Sequence, residues 1–239
     1  MTDEFPDGVG IFETIRTING KPAFLSAHLS RAAKSAKALT IEIATEKEIA
    51  AAIERVLLDS PIHTGAGRLR IEFHSSGELR VTHSKYEPWT LPANVKLIAS
   101  RIDETEAKSG HKTLPYRHNL DLLIEAKAEG IDEVIRLNSL GDVCEGATSN
   151  LLFKIDGRWV TPDISSGCLP GITRGLALDW FEIMERPVAA DELADMKSGF
   201  ILSSLRGFQP IAAIDHRKLV IDEGMSEKAR TRLLAHSVG

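Results

Sequence analysis

Hydrophobic positions in the first half of the chain switch between a strand-like and a helix-like period. An apolar run predicts a strand over Gly10–Ile18, which ends at the Asn19-Gly20 turn and pairs back as a hairpin with Lys21–Leu25. Apolar residues then recur at helical spacing as far as Leu39, and Ser26 is the expected N-cap. The chain therefore begins with a hairpin followed by a helix.

A second helix and three strands complete this half. Thr45 and Glu48 form a capping-box pattern ahead of apolar residues at helical spacing, which predicts the start of a helix. The predicted strands are Arg68–Phe73, Glu78–His83 and Val95–Ser100. The polar run that follows, at 103–110, shows no apolar periodicity and predicts a domain linker.

The second half starts with a predicted helix over Asn119–Glu129, which Gly130 is placed to end. The remaining predicted elements are the strands Glu133–Leu137, Cys144–Ile155, Arg158–Thr161 and Gly199–Ser203 and the helices Ile172–Glu185 and Met225–Ala235. The predicted class is α+β, with a small N-terminal domain over 1–104, a linker over 105–111 and a larger C-terminal domain over 112–239.

Composition excludes several classes of protein. With 239 residues, 43% hydrophobic and 26% charged, the chain is typical of a globular protein with an adequate core. A net charge of −5 without a basic run argues against nucleic-acid binding. No apolar stretch approaches the about 18 residues of a membrane span, and the acidic start is unlike a signal peptide, so we expect a cytoplasmic protein. Two cysteines give neither a disulfide framework nor a metal site, and both are expected to be reduced and packed.

Chemistry is concentrated in a few polar segments. Lys112 is a candidate nucleophilic amine, and Glu145 lies in a polar insertion between apolar stretches. The Gly171-Ile172-Thr173 turn opens a predicted helix, where backbone N–H groups and a hydroxyl favour a phosphate. Ser203-Ser204 and Arg31 offer further donors for the same anion. Such a segment alone is more often an ordinary feature, such as a cap, a loop or a solvated face, and only the set favours pyridoxal phosphate.

The order of these segments resembles a known family. Six blocks occur in the order seen in fold-type IV pyridoxal-phosphate enzymes, the class IV aminotransferases, which include branched-chain and D-amino-acid aminotransferases and 4-amino-4-deoxychorismate lyase. The blocks are Phe12–Arg16, His28–Arg31, Lys112 with its flanks, Glu145–Phe153, Leu169–Arg174 and Ser203–Gly207. They span nearly the whole chain. The resemblance implies a small N-terminal α/β domain and a larger, barrel-like mixed α/β C-terminal domain with the cofactor between them, and a homodimer whose partner helps close the site.

The resemblance also implies residue roles. Lys112 forms the Schiff base with the cofactor and then moves protons, and Glu145 pairs with the pyridine nitrogen. The residues expected to hold the phosphate are Arg31, Ile172 through its N–H, Thr173 and Ser204, and those expected to line the substrate pocket are Phe12, Thr14 and Arg16. Tyr116 stands near a family tyrosine, but its spacing from Lys112 is one residue short of the branched-chain pattern, and we leave it out of the site. Relatives usually carry a further N-terminal strand before the block that begins here at Asp7, so either the first sheet lacks a strand or the true start lies upstream.

Three functions remain open. The Ser203–Ile211 stretch resembles the lyase pattern, which favours conversion of 4-amino-4-deoxychorismate to 4-aminobenzoate and pyruvate, with Arg206 meeting a substrate carboxylate. The first alternative is an aminotransferase of branched-chain or D-amino acids. The second is a family member that binds pyridoxal phosphate without turnover, against which the presence of both Lys112 and Glu145 argues.

Overall fold

The computed structural model describes residues 9–236 of the chain. Within them lie five α-helices: α1 (Leu25–Leu39), α2 (Glu46–Leu58), α3 (Arg117–Ala128), α4 (Ile172–Trp180) and α5 (Glu223–His236). The strands are β1 (Gly10–Ile18), β2 (Lys21–Pro22), β3 (Ala66–His74), β4 (Leu79–Lys85), β5 (Ala93–Ile102), β6 (Thr113–Leu114), β7 (Glu133–Asn138), β8 (Val143–Glu145), β9 (Asn150–Ile155), β10 (Arg158–Pro162), β11 (Ile183–Arg186), β12 (Ser198–Ser203), β13 (Gly207–Ile214) and β14 (Arg217–Lys218).

The chain divides into two compact units. The first holds the described residues up to Pro88 and those from Leu234, together with His111–Arg117, and the second holds Trp89–Gly110 and His118–Leu233. The boundary therefore falls near Trp89, whereas the sequence predicted one after residue 104. No helix in residues 9–236 combines the length and apolar character needed to cross a membrane.

The first unit is a five-stranded sheet covered on one face by two helices. Its strand order is β2-β1-β3-β4, and β6 pairs with β1. Alternate residues of β1, such as Ile11 and Ile15, pack against α1 and α2 in one apolar cluster. Thr45 caps α2 with the predicted capping box, which confirms that prediction. The N-cap of α1 is Phe24 in the left-handed conformation, so the predicted cap at Ser26 was wrong.

The second unit is built on a nine-stranded sheet with the order β11-β10-β9-β12-β13-β5-β7-β8 and with β14 paired to β13. It is buried on both faces. Along β9, Leu151 and Phe153 enter one apolar cluster, while Leu152 enters another together with Ala177 of α4 and Ala229 of α5. Two-sided burial explains why β9 reads in sequence as a continuous apolar run instead of an alternating one.

Three predicted elements differ in the structure. The strand predicted over Val95–Ser100 was assigned to the N-terminal domain, but β5 pairs in parallel with β13 and β7 of the second unit. The strand predicted over Cys144–Ile155 is two strands separated by a turn. The helix predicted to reach Glu185 ends at Trp180, because Ile183–Arg186 pairs as a strand with β10. A short apolar segment such as the one at residues 181–186 is compatible with the periodicity of a helix or of a strand, and here the pairing with β10 makes its last part a strand.

Candidate active site

Lys112 lies beside the first strand of the first unit. Its carbonyl oxygen accepts a hydrogen bond from the Phe12 N–H at 2.9 Å, and the residues after it form β6, which pairs with β1. The Lys112 ammonium nitrogen lies 4.4 Å from the centre of the Phe12 ring and 4.6 Å from that of Tyr116. The two rings meet edge to face at 4.9 Å. Tyr116, which the sequence left aside, therefore belongs to the surroundings of the Lys112 amine.

The same face of the first sheet carries arginines and one buried carboxylate, that of Glu72, to which Arg70 Nε donates. Phe12, Thr14 and Arg16 alternate along β1 and so share one side of the sheet. Arg70 of β3 is paired with Thr14, and its guanidinium carbon lies 4.0 Å from the Phe12 ring centre. Within the residues described, Arg16 Nε and Arg70 Nη2 are buried without a hydrogen-bond partner. Because a buried N–H without a partner is costly, these two groups suit an anionic ligand.

Arg31 lies on α1, on the other side of β1. Its guanidinium and the ring of His28 both bind the buried carboxylate of Glu13. Neither Glu13 nor His28 was assigned a role from the sequence, although each lies within one of the six blocks shared with the family. The sequence did contain a sign that Glu13 is buried. Side chains alternate along a strand, so Glu13 points to the same side as Ile11 and Ile15, which is the side of the core.

In the second unit, Glu145 ends β8 and faces the turn before α4. Its Oε2 accepts a hydrogen bond from the Leu169 N–H at 2.8 Å. Asn150, at the start of β9, donates from its side chain to the Leu169 carbonyl at 2.8 Å. A Cβ on Gly171 would collide with Asn150 Oδ1, so only glycine allows this close approach. Glu145 and the first residues of α4 are therefore held by the same turn.

The predicted phosphate donors of this unit lie at one end of its sheet. Gly171 is the N-cap of α4 and makes no side-chain cap bond, so the N–H of Ile172 and the buried Thr173 open the helix. Asn150, which abuts this N-cap, is paired with Leu202 of β12, two residues before Ser204. The turn that carries Ser204 thus lies at the same end of the sheet as the start of α4. An N-terminus of a nine-residue helix with nearby hydroxyls fits a phosphate group.

A second buried carboxylate fixes the turn between β8 and β9. Glu133, fully buried, accepts hydrogen bonds from the Ala147 N–H and from the hydroxyls of Thr148 and Ser149, each at 3.0 Å. Gly146 leaves room for this approach, since a Cβ there would press on Ser149 Oγ and on Glu133. The turn that follows Glu145 is therefore fastened to the core by charge-assisted bonds.

Arg206 has protein partners where the sequence predicted a substrate carboxylate. Its Nη2 donates to the Asp132 carbonyl at 3.0 Å and lies 3.8 Å from Glu133 Oε2. Its Nη1 donates to Gln209 Oε1 at 3.3 Å, and its guanidinium carbon lies 4.5 Å from the Trp89 ring centre. With its side chain only 7% exposed, Arg206 supports Glu133 and the strand ends around it.

The two cysteines flank this region and are both buried. Burial, followed by the charge of Glu145, raises the pKa of the Cys168 thiol to about 11. The same causes raise the pKa of Cys144 still further. Both thiols therefore stay protonated at neutral pH and pack as small apolar groups.

The predicted site residues fall into two groups. The first unit contains Phe12, Thr14, Arg16, Arg31 and Lys112, and the second contains Glu145, Ile172, Thr173, Ser204 and Arg206. The donors fit pyridoxal phosphate, because they comprise an amine for its aldehyde, a fixed carboxylate for its ring nitrogen and a helix N-terminus for its phosphate.

Comparisons with known proteins agree with this chemistry. A family model described as amino-transferase class IV matches residues 10–214. A branched-chain-amino-acid aminotransferase of Pseudomonas aeruginosa is 28% identical over 92% of this chain and 80% of its own length. An aminodeoxychorismate lyase of Bacillus subtilis is 29% identical over 72% of this chain and 64% of its own. The solved fold IV-transaminase of Curtobacterium pusillum matches 95% of this chain and 86% of its own, with 27% identity and a TM-score of 0.84.

Proposed function

Because the chain belongs to the class IV aminotransferase family and is a fold-type IV, pyridoxal-phosphate-dependent enzyme, we propose that it converts 4-amino-4-deoxychorismate to 4-aminobenzoate and pyruvate. One observation carries this choice. Within residues 9–236, Arg16 and Arg70 each have a buried N–H group without a hydrogen-bond partner, and both residues lie on the face of the first sheet that Lys112 adjoins. Each product of the lyase reaction carries one carboxylate, so its substrate carries two. An arginine-rich face suits such a dianion better than the apolar side chain of a branched-chain amino acid.

The residue roles follow from the chemistry of each group. When bound, pyridoxal phosphate supplies an electron sink for the charge left as the substrate loses a proton. The Lys112 amine would hold the cofactor through its aldehyde until the substrate amine replaces it, and the freed amine would then move the proton between substrate atoms. The Glu145 carboxylate, held by the Leu169 N–H, stabilises a proton on the ring nitrogen. The groups proposed to hold the phosphate are the Ile172 N–H, Thr173, Ser204 and Arg31.

Substrate residues are proposed on the first sheet. Phe12 and Thr14 line the pocket beside the Lys112 amine. The substrate carboxylates are bound by Arg16 and by Arg70 Nη2, the Arg70 nitrogen that its bond to Glu72 leaves over. Arg206, whose guanidinium contacts Glu133, the Asp132 carbonyl and Gln209, stays a predicted substrate residue, and the proposed carboxylate contacts do not depend on it. The homodimer and the cytoplasmic location stay predictions.

The second candidate is a class IV aminotransferase of branched-chain or D-amino acids. It is favoured by the likeness to the Pseudomonas aeruginosa branched-chain enzyme and to the Curtobacterium pusillum transaminase. A third candidate, a family member that binds the cofactor without turnover, is opposed by the presence of both Lys112 and Glu145.

Product analysis tests the choice. The protein loaded with pyridoxal phosphate is given 4-amino-4-deoxychorismate, and 4-aminobenzoate is followed by its fluorescence while pyruvate is measured with lactate dehydrogenase. We expect the two products in equal amounts, and neither from a Lys112→Ala variant. Transfer of an amino group from a panel of L- and D-amino acids to 2-oxoglutarate, with no 4-aminobenzoate formed, would instead establish the aminotransferase. A protein that binds the cofactor but yields neither set of products would be the silent member.

A further inference from the structure

A charged cluster lies inside the apolar core of the first unit. Glu13 is 1% exposed and stands on β1 between Ile11 and Ile15, which both pack against α1 and α2. A buried carboxylate is costly unless it is paired and hydrogen-bonded. The presence of Glu13 in this core therefore calls for a reason beyond packing.

Both partners of Glu13 come from one face of α1. Arg31 donates from Nε to Glu13 Oε1 at 2.9 Å and from Nη2 to Oε2 at 2.6 Å, which is a two-point fork. His28, three residues earlier on the helix, places Nδ1 2.7 Å from the same Oε2. His28 is 1% exposed and the Arg31 side chain 11%, so the three side chains form one largely buried cluster on the helix-covered face of the sheet.

The charges of the cluster are defined by its surroundings. Burial lowers the pKa of His28 below its ordinary value and outweighs the bond to Glu13 and the charge of Glu13, which raise it. A neutral His28 donates from Nδ1 to the carboxylate. Burial alone raises the pKa of Glu13, but hydrogen bonds from His28 and Arg31 outweigh it and hold that pKa below its ordinary value.

We propose that Glu13 and His28 are positioning residues that fix the guanidinium plane of Arg31 for the phosphate of pyridoxal phosphate. This inference rests on the proposed function, in which Arg31 holds that phosphate. An arginine side chain has many rotamers, and ordering it when the ligand arrives weakens binding. The fork from Glu13 orders Arg31 before the ligand arrives, and His28 orients the carboxylate that makes the fork.

The phosphate preference of the cofactor-free protein measures this effect. Pyridoxal and pyridoxal phosphate differ only in the phosphate, and both are titrated by quenching of tryptophan fluorescence. We expect the parent to prefer the phosphate ester strongly. In Glu13→Gln the ratio of the two dissociation constants falls about tenfold, as the loss of a charge-assisted fork implies, while pyridoxal binding stays unchanged. His28→Gln lowers the ratio by a smaller factor.

The matched variants separate positioning from general damage. Glu192→Gln breaks a comparable arginine fork, at 2.8 and 2.6 Å from Arg186, and leaves the ratio unchanged. Glu13→Asp keeps the charge but shortens the side chain, so we expect it to lower the ratio through the lost fork geometry. It also serves as the second variant if Glu13→Gln does not fold. In an Arg31→Leu background, Glu13→Gln has no further effect, since Glu13 acts only through Arg31.

Each outcome has a defined meaning. Three outcomes overturn the positioning role. The ratio of the two dissociation constants does not fall in Glu13→Gln, it does not change in Glu13→Asp, or the effect of Glu13→Gln persists in the Arg31→Leu background. A parent that binds both compounds equally overturns the cofactor assignment in the proposed function instead. A parent with a strong phosphate preference that Arg31→Leu leaves intact sinks the phosphate role of Arg31, and with it this inference, while the lyase assay stays decisive for the reaction.

Discussion

Replacing Glu133 by glutamine tests whether a buried charge holds the turn after Glu145. The carboxylate accepts three bonds from that turn, from the Ala147 N–H and the hydroxyls of Thr148 and Ser149. Glutamine has nearly the same shape and keeps one oxygen, and the hydroxyls can rotate to accept from its amide. The change therefore removes charge rather than volume.

The expected cost follows from the number of bonds. A hydrogen bond to a charged group contributes about 1.5–3 kcal/mol and a neutral one about 0.5–1.5 kcal/mol, so each of the three bonds loses about 1 kcal/mol. The sum is about 3 kcal/mol. The nearby Arg206, with its side chain 7% exposed, also loses its carboxylate and can only add to this figure.

Thermal unfolding of the cofactor-free protein, followed by circular dichroism, measures this cost without a contribution from ligand binding. For a chain of this size about 3 kcal/mol lowers the midpoint by about 6–12 °C. Glu129→Gln is the control, since Glu129 binds Lys96 at 2.6 Å through an exposed side chain, and it leaves the midpoint nearly unchanged. A shift below about 2 °C for Glu133→Gln would refute the argument that charge fastens the turn.

Three further outcomes are expected. Gly171→Ala drives a methyl group into Asn150 Oδ1 and lowers the affinity for pyridoxal phosphate at least about tenfold in a titration of the cofactor-free protein, whereas Gly175→Ala, which meets nothing within 4 Å, does not weaken it. The buried thiols, with the pKa of Cys168 raised to about 11, do not react with Ellman's reagent at pH 8 until the protein is unfolded, and rapid reaction in the native state would contradict this. Burial lowers the pKa of His28 from its ordinary 6.5, so as the pH falls the unfolded chain binds this proton before the folded protein does. The contribution of His28 to stability is therefore complete above pH 6.5 and is lost as the pH falls below it. Urea unfolding measured against pH shows this loss in the parent, and the loss is absent from a His28→Gln variant.

Local signals in the sequence were sufficient for much of the fold. The strand Gly10–Ile18 and the capping box at Thr45 and Glu48 were predicted as the structure has them. Both depend on interactions between near neighbours in the chain, namely backbone geometry and a side chain that reaches three residues. The ordered blocks around Lys112 and Glu145 likewise identified the family without any knowledge of long-range contacts.

The tertiary structure decided which distant groups meet. The strand β5 reads like its neighbours, and only pairing with β13 and β7 assigns it to the second unit. Glu13 and Glu133 are ordinary glutamates in the sequence, yet both are buried. Glu13 is bound by side chains 15 and 18 residues away, and Glu133 accepts from a turn 14–16 residues away. Arg206, predicted from the sequence to meet a substrate carboxylate, has protein contacts that the sequence did not indicate. A sequence shows which residues can be charged or apolar. The packing of whole helices and strands decides which charged group is buried and which partner it meets, because desolvation and hydrogen bonding depend on the folded surroundings.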